Sequence, residues 1–334
     1  MKLCRREDLS REEAKEAFET IMSGQATDAQ IGGLLVGLAA KGSTVDELVG
    51  AATVMRQKVL PVEIDPSDRD TLILDTCGTG GDVRGTFNIS TTAAIIVAAC
   101  GVKVVKHGNR SASSKSGSAD VLEELGVKLE VTLDCLAKCL KETNICFAFA
   151  RSHHPAMKYV AQARTSLGIP SIFNLLGPLT NPGGARHQLL GVFTPELTDR
   201  LAAVLRELGS KRAWVVHAHD GLDELSTIGP TRIAELNEGR IHTWTLNPAD
   251  VGLPYARLSD LQVDSAAQSA LVIGEILKGK LGPHADIAVL NAAGALVVAG
   301  VCGDLKEGIA RAREAISSGR GWETVEDLVR LTNV

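Results

Sequence analysis

Two kinds of sequence grammar predict a small N-terminal helical domain followed by a large α/β domain with a mostly parallel central sheet. Three capping boxes stand in the first 60 residues, Ser10-x-x-Glu13, Thr27-x-x-Gln30 and Thr44-x-x-Glu47, each opening an apolar run at helical spacing. Beyond a polar linker, Glu63 to Asp70, short apolar runs alternate with helical patterns, the signature of βα units whose sheet carries helices on both faces. The division expected is therefore 1–62 helical and 70–334 α/β.

The elements follow in order. Ala14, Phe18, Ile21 and Met22 mark the inner face of the first helix; Ile31, Leu34, Leu35 and Leu38 mark the second, and Leu48, Ala51, Ala52 and Met55 the third. Gly24 and Gly42 stand where C′ glycines belong, and Pro61 stops the third helix. Strands are predicted at Thr71–Leu74, Val102–Lys106, Ile145–Ala150, Gln188–Val192 and Arg212–His217. The helices between them are Ser90–Ala99, Ala119–Leu125, Leu133–Glu142, Pro155–Leu167 and Pro195–Leu208. Arg232–Leu236 and Arg240–Leu246 flank Asn237-Glu238-Gly239, a hairpin signal, and from Asp264 the pattern is helical again.

Composition narrows the function. Of 334 residues 45% are hydrophobic, which supports a real core and excludes disorder, and the 33 Gly have no three-residue period. Lys and Arg number 35 against 40 Asp and Glu, a net charge of −5, which argues against a general nucleic-acid binder. Seven Cys are scattered with no Cys-x-x-Cys pair, so neither a zinc ribbon nor a thioredoxin-like site is expected. The N-terminus lacks an apolar h-region. The longest apolar stretch, Ile287 to Val301, is about 15 residues, too short for a bilayer. A cytoplasmic protein without a membrane partner is expected.

Four segments carry candidate chemistry. The first strand runs into Asp75-Thr76-Cys77-Gly78-Thr79-Gly80-Gly81-Asp82, a glycine turn that lets backbone N–H groups approach an anion. It fits neither the dinucleotide fingerprint, which needs Gly at Val83, nor the P-loop, which needs Lys at Thr86. Asn88-Ile89-Ser90-Thr91 continues it at a helix start, with side chains suited to phosphate or to a hard metal ion. Next, Lys106-His107-Gly108-Asn109-Arg110-Ser111-Ala112-Ser113-Ser114-Lys115-Ser116-Gly117-Ser118 follows a strand's C-terminal end, where ligands bind in open α/β sheets. Two such loops fit one polyphosphate; His107 serves equally as a loop anchor or a substrate contact. Asp223 and Glu224, on the loop opened by His217-Ala218-His219-Asp220, offer hard oxygens for Mg²⁺ held jointly with phosphates, whereas His217-x-His219 lacks a third zinc ligand. The last segment is His153-His154-Pro155 leading along a helix to Arg164, then a Pro/Gly/Asn-rich connector from Phe173 to Pro182. By spacing alone Arg164 reads as a helix-end cation. The residues themselves point to a Mg²⁺-dependent enzyme that handles a polyphosphate.

Gly78 to Asp82, Asn88 to Thr91, Lys106 through Ser118, His154-Pro155-Ala156-Met157, Asn174 to Pro182 and Asp220 to Glu224 together resemble the anthranilate phosphoribosyltransferase family, in its order and spacing and over essentially the whole chain. Pro170-Ser171 is a mild departure that retains the hydroxyl. The resemblance implies a nucleoside phosphorylase/phosphoribosyltransferase type of fold, with part of 155–185 joining the helical domain and an active site in the cleft between domains. It implies a homodimer through the helical domain and the small-molecule substrates anthranilate and 5-phosphoribosyl 1-diphosphate, used in tryptophan biosynthesis. Gly78, Gly81, Asp82, Thr86, Asn88, Ile89, Ser90, Thr91, Lys106, His107, Gly108, Asn109, Arg110, Ser111, Ala112, Ser113, Ser114 and Ser118 would bind phosphoribosyl diphosphate. Ser90, Asp223 and Glu224 would hold Mg²⁺, two ions per monomer, and Gly78, Asn109 and Arg164 would contact anthranilate. No motif marks a covalent nucleophile, so direct attack by the amine is expected. The alternative is an enzyme like the pyrimidine nucleoside phosphorylases, which usually carry a further C-terminal domain and lack the Asp-Gly-Leu-Asp-Glu segment.

Overall fold

All three capping boxes are formed in the computed structural model, which describes residues 1–64, 72–81, 84–111 and 115–334. They start α1 (Arg11–Met22), α2 (Asp28–Lys41) and α3 (Val45–Lys58). In each, the Ser or Thr hydroxyl accepts from the N3 amide while the N3 side chain reaches back to the N-cap amide. Gly24 stands at C′ of α1 with φ +74°, a left-handed position that suits glycine, whereas Gly42 is itself the C-cap of α2. Glu47 is fully buried, yet its carboxylate caps α3, accepts from Leu9 N at 2.9 Å and pairs with Lys41 at 3.0 Å.

The sheet has seven strands in the order β3-β2-β1-β4-β5-β6-β7. The strands β1 (Ile73–Gly78), β2 (Lys103–Gly108), β3 (Ile145–Phe149), β4 (His187–Gly191) and β5 (Arg212–Ala218) are parallel. The hairpin β6 (Thr231–Asn237) and β7 (Arg240–Leu246) adds an antiparallel edge, its turn made by Glu238 and Gly239 at positive φ. β1 continues four residues past the predicted Leu74, because Asp75, Thr76 and Cys77 are buried and stay paired with β4 up to Gly78; Thr71 is outside the described residues.

The crossover helices are α4 (Ile89–Ala99), α5 (Ser118–Glu124), α6 (Leu133–Thr143) and α10 (Glu196–Glu207). The helix predicted over Pro155–Leu167 starts as a 3₁₀ turn at Pro155–Met157 and continues as α8 (Lys158–Leu167); before it stands a short α7 (Ala150–His153), which takes Ala150 from the end of the predicted strand. Pro155 has no N–H for a continuous helix, so it opens a new turn instead. α8 packs against α2 and α1. The connector contains α9 (Phe173–Leu176) and a 3₁₀ turn at Gly177–Leu179. α11 (Ala266–Leu277), α12 (Pro283–Val298), α13 (Leu305–Ser317) and α14 (Arg320–Thr332) complete the fold, with α12 packed against α4 and α13 and buried almost all round. Among the described residues no helix is long and apolar enough to cross a membrane. Two apolar cores result. One fills the α4/α12 side of the sheet, and the other joins α1–α3, α8 and α9 to α10 and the opposite sheet face.

Candidate active site

Parallel strands present their C-terminal ends to one side of the sheet, and the predicted segments meet there. Gly78 and Gly191 pair at the ends of β1 and β4. The loop carrying Asp223 crosses directly over them: a Cβ on Gly191 would lie 1.6 Å from the Asp223 carbonyl oxygen, and one on Gly78 would lie 2.5 Å from Asp223 Oδ2. Both glycines are needed for this close approach. The Asp223 carboxylate accepts from Gly80 N at 3.1 Å, and Glu224 Oε1 accepts from Ser90 N in the first turn of α4 at 3.1 Å. The acidic loop therefore touches both halves of the first predicted segment.

Asn291 of α12 supports that loop from behind. Its amide accepts from Leu225 N at 2.9 Å and donates to Leu225 O at 2.8 Å, although the residue is fully buried in an otherwise apolar run from Ile287 to Val298. Gly294, one turn on, lets Leu225 pack closely, since a Cβ there would meet Leu225 at 2.5 Å. Arg84 lies against Gly221 at the start of the same loop.

Lys106, on β2, is buried and donates to Thr76 O at 2.7 Å and to Ser90 Oγ at 3.4 Å. Burial pulls its pKa down, opposed by the nearby Asp75 carboxylate. Asp75 accepts from His107 N at 3.3 Å, and burial raises its own pKa. The Asn88 side chain is a bracket: it donates to Ser116 O and accepts from the hydroxyls of Ser116 and Ser269. Ile89 is buried, so its side chain packs in the core. Thr86 pairs with Gln262 in an isolated bridge, and the buried Thr91 hydroxyl has no hydrogen-bond partner among the described residues. Arg110 turns back to Asp120 and Glu123, and Asp120 also accepts from Ser111 N and Gly117 N, which closes the second loop. Ser118 donates to Asn109 O at 3.4 Å. Asp82 and Ala112, Ser113 and Ser114 lie outside the described residues.

Beside this polar cleft is a cavity of ≈ 580 Å³ between the helical layer and the ends of β2 and β3. Met55 of α3, Met157, Ala161, Arg164 of α8 and Phe173 of α9 line one side; His107, Asn109, Ala150, His154 and Gly177 line the other. Arg164 is half-buried, and its guanidinium lies 5.2 Å from the Phe173 ring centre with no carboxylate partner among the described residues. Burial lowers its pKa from the ordinary arginine value. This is a more specific place for a cation than a helix end. Asn109 and Arg164 thus share one cavity, whereas Gly78 sits in the neighbouring cleft beside Asp223.

His107 is an anchor and a cavity wall at once. Its Nδ1 lies 3.0 Å from Gly177 O and its Nε2 lies 3.2 Å from His154 Nε2. Burial pushes His107 down to about 3 and His154 down to about 4, so both rings are neutral near pH 7. Sequence reasoning placed Met55 only on the inner face of a helix, named His154 within a motif without a task, and gave none to Asn291. For Asn291 a signal existed, a lone amide inside an apolar run.

No group of three or more His, Cys, Asp or Glu able to hold a metal occurs among the described residues. Two carboxylates and a hydroxyl, Asp223, Glu224 and Ser90, converge at the strand ends instead. That hard-oxygen set suits an ion whose remaining ligands come from phosphate and water.

A helical layer joined to a mostly parallel sheet, with a glycine-shaped polar cleft at the strand ends, defines a class of glycosyl transferases. The family model "Glycosyl transferase family, a/b domain" matches residues 70–322, and "Glycosyl transferase family, helical bundle domain" matches residues 1–59. The chain is 51% identical to anthranilate phosphoribosyltransferase of Rhodospirillum rubrum, over 97% of this chain and 92% of that one. It is 50% identical to that of Thioalkalivibrio sulfidiphilus, over 99% and 96%. The crystal structure of anthranilate phosphoribosyltransferase from Thermus thermophilus superposes with a TM-score of 0.93 at 41% identity, covering 100% of this chain and 98% of that one. The Saccharomyces cerevisiae enzyme in complex with PRPP and Mg gives 0.87 at 29% identity, covering 97% and 94%. The chain belongs to the anthranilate phosphoribosyltransferase family.

Proposed function

We propose that this chain transfers the phosphoribosyl group of 5-phosphoribosyl 1-diphosphate to the amine of anthranilate, giving N-(5-phosphoribosyl)anthranilate and diphosphate, as a step of tryptophan biosynthesis. The observation that carries the proposal is the adjacency of two unlike spaces. One is an oxygen- and amide-rich cleft at the strand ends; the other is a largely apolar cavity with cations at its wall, whose Arg164 guanidinium has no carboxylate partner among the described residues. A diphosphate ester suits the first and a small aromatic carboxylate the second. Related yeast structures hold PRPP and Mg in one case and 4-fluoroanthranilate in another.

In this reading the phosphoribosyl diphosphate site comprises Gly78, Gly81, Asp82, Thr86, Asn88 to Thr91, Lys106 to Ser114 and Ser118. Arg164 faces the anthranilate carboxylate, Asn109 borders the ring, and Gly78 closes the join between the two spaces. Ser90, Asp223 and Glu224 hold Mg²⁺, two ions per monomer, which when bound neutralise charge on the diphosphate. Lys106 places a buried positive charge beneath the departing group, and backbone amides of the glycine turn donate to its oxygens. The α3, α8 and α9 wall excludes water from the aromatic ring and holds its amine toward the ribosyl carbon. The amine is already neutral near pH 7, so it attacks directly and inverts that carbon without a covalent ribosyl-enzyme. Residues 1–62 with part of 155–185 form the helical unit through which the chain dimerises, in the cytoplasm.

Product fluorescence from anthranilate and phosphoribosyl diphosphate, measured with and without Mg²⁺, tests the reaction. Turnover only with the metal supports it, and phosphorolysis of thymidine or uridine instead overturns it. Labelled diphosphate entering phosphoribosyl diphosphate without anthranilate, as fast as turnover, would overturn the direct route.

A further inference from the structure

The two rings at the back of the cavity have a hydrogen-bond polarity that can be worked out atom by atom. Gly177 O is a carbonyl and can only accept, so the His107 nitrogen 3.0 Å away, Nδ1, must carry the proton. Both rings are neutral near pH 7. His107 Nε2 is therefore bare and accepts, and the His154 Nε2 facing it at 3.2 Å must donate. That leaves His154 Nδ1 without a proton. It has no hydrogen-bond partner among the described residues, yet it is not sealed off, and His154 lines the cavity with Arg164.

We propose that His154 Nδ1 is the acceptor for an N–H of the aromatic amine, and that His107 is the positioning residue that fixes the tautomer making it one. The proposal rests on the reading of anthranilate as the cavity's substrate. In anthranilate one amine N–H points to the adjacent carboxylate, which Arg164 takes, and the other is left for a protein acceptor. With both N–H groups held, the nitrogen lone pair is the part of the amine left to face the ribosyl carbon. A cavity lined only by apolar groups and a cation would bind the carboxylate but leave the amine free to turn.

The test uses the full chain with its histidines labelled with ¹⁵N, at neutral pH with Mg²⁺ and diphosphate present. His107 protonated at Nδ1 and His154 protonated at Nε2 are expected in the free protein. Anthranilate should move the His154 Nδ1 resonance, whereas benzoate, which has the carboxylate but no amine, should not. His154→Leu should weaken anthranilate binding about 3- to 10-fold relative to benzoate, the worth of one neutral hydrogen bond. Equal weakening for the two ligands, or a His154 that carries its proton on Nδ1, overturns the proposal. If the variant fails to fold, the ligand response of the unaltered chain decides. A bound anthranilate that leaves Nδ1 unmoved overturns this inference alone. A chain that binds no anthranilate overturns the substrate reading and this inference with it.

Discussion

The cleft over β1 and β4 and the cavity against α3 and α8 lie side by side but follow opposite electrostatic rules. In the cleft, charged groups are packed under loops that glycines bring close: Asp223 over Gly78 and Gly191, Glu224 on the start of α4, Lys106 beneath Ser90. In the cavity the wall is largely apolar, its charges are the cations Arg151, Lys158 and Arg164 with no carboxylate among the lining residues, and two histidines are kept uncharged by burial. The difference separates two tasks. A group that loses a large anion needs dense, preorganised charge. A ring that must be oriented needs an apolar slot with few polar contacts, each counting for more.

The sharpest way to break this comparison is to remove charge from the cleft only. Asp223→Asn with Glu224→Gln should keep the fold and lower turnover by at least about 10²–10³, the loss typical of one transition-state contact. Circular dichroism should be unchanged. Near-normal turnover at millimolar-order Mg²⁺ would take these carboxylates out of the metal site and remove the contrast between the two spaces.

The cavity should respond differently. Arg164→Ala removes a charge-assisted hydrogen bond to a carboxylate, worth about 1.5–3 kcal/mol, and should raise the KM for anthranilate about 10- to 150-fold. The KM for phosphoribosyl diphosphate should move little. Equal effects on the two KM values would make Arg164 a structural cation after all.

How much of each region could be read in advance differs for the same physical reason. The helical layer was legible because its signals are local: a hydroxyl and a carboxyl or amide three residues apart define each helix start. The cleft was legible in outline, since Gly78 to Asp82 and Asp220 to Glu224 are compact segments with a chemical character of their own. The support of the acidic loop by Asn291, 66 residues away from Leu225, was not, because nothing in an apolar helix names the backbone its amide will meet. The cavity was least legible. Met55, His154 and Arg164 come from separate elements, and the wall depends on Pro155 separating α7 from the turn that leads into α8 and on the connector folding into α9.

The neutral histidines give the comparison a pH dependence. His107 and His154 have folded values of about 3 and about 4, below the ordinary 6.5. Between those limits the unfolded chain binds protons that the folded chain does not, so stability present above pH 6.5 falls as the pH drops and is lost below the folded values. Urea midpoints should therefore decline from pH 6.5 toward 4, and His154→Leu should make that decline shallower. An unaltered slope in the variant would mean that His154 is not held neutral.

The smallest effect expected belongs to the region remote from both spaces. Thr27 caps α2: its hydroxyl accepts from Gln30 N at 3.3 Å, while Gln30 Oε1 accepts from Thr27 N at 2.8 Å. Thr27→Ala leaves one orphan amide at the helix start without its acceptor and should cost about 1 kcal/mol of stability. α2 packs against α8, which carries Arg164, so the substitution also asks whether the cavity depends on the strength of the helical layer or only on its shape. Because the change sits at the helix terminus and its cost is small beside that of losing the α2–α8 packing, the geometry of α8 should persist. The expected outcome is a lower urea midpoint with both KM values unchanged. A rise in the anthranilate KM alone would show that the apolar slot is tuned by the stability of the helices behind it, whereas the cleft, fixed by the sheet, is not.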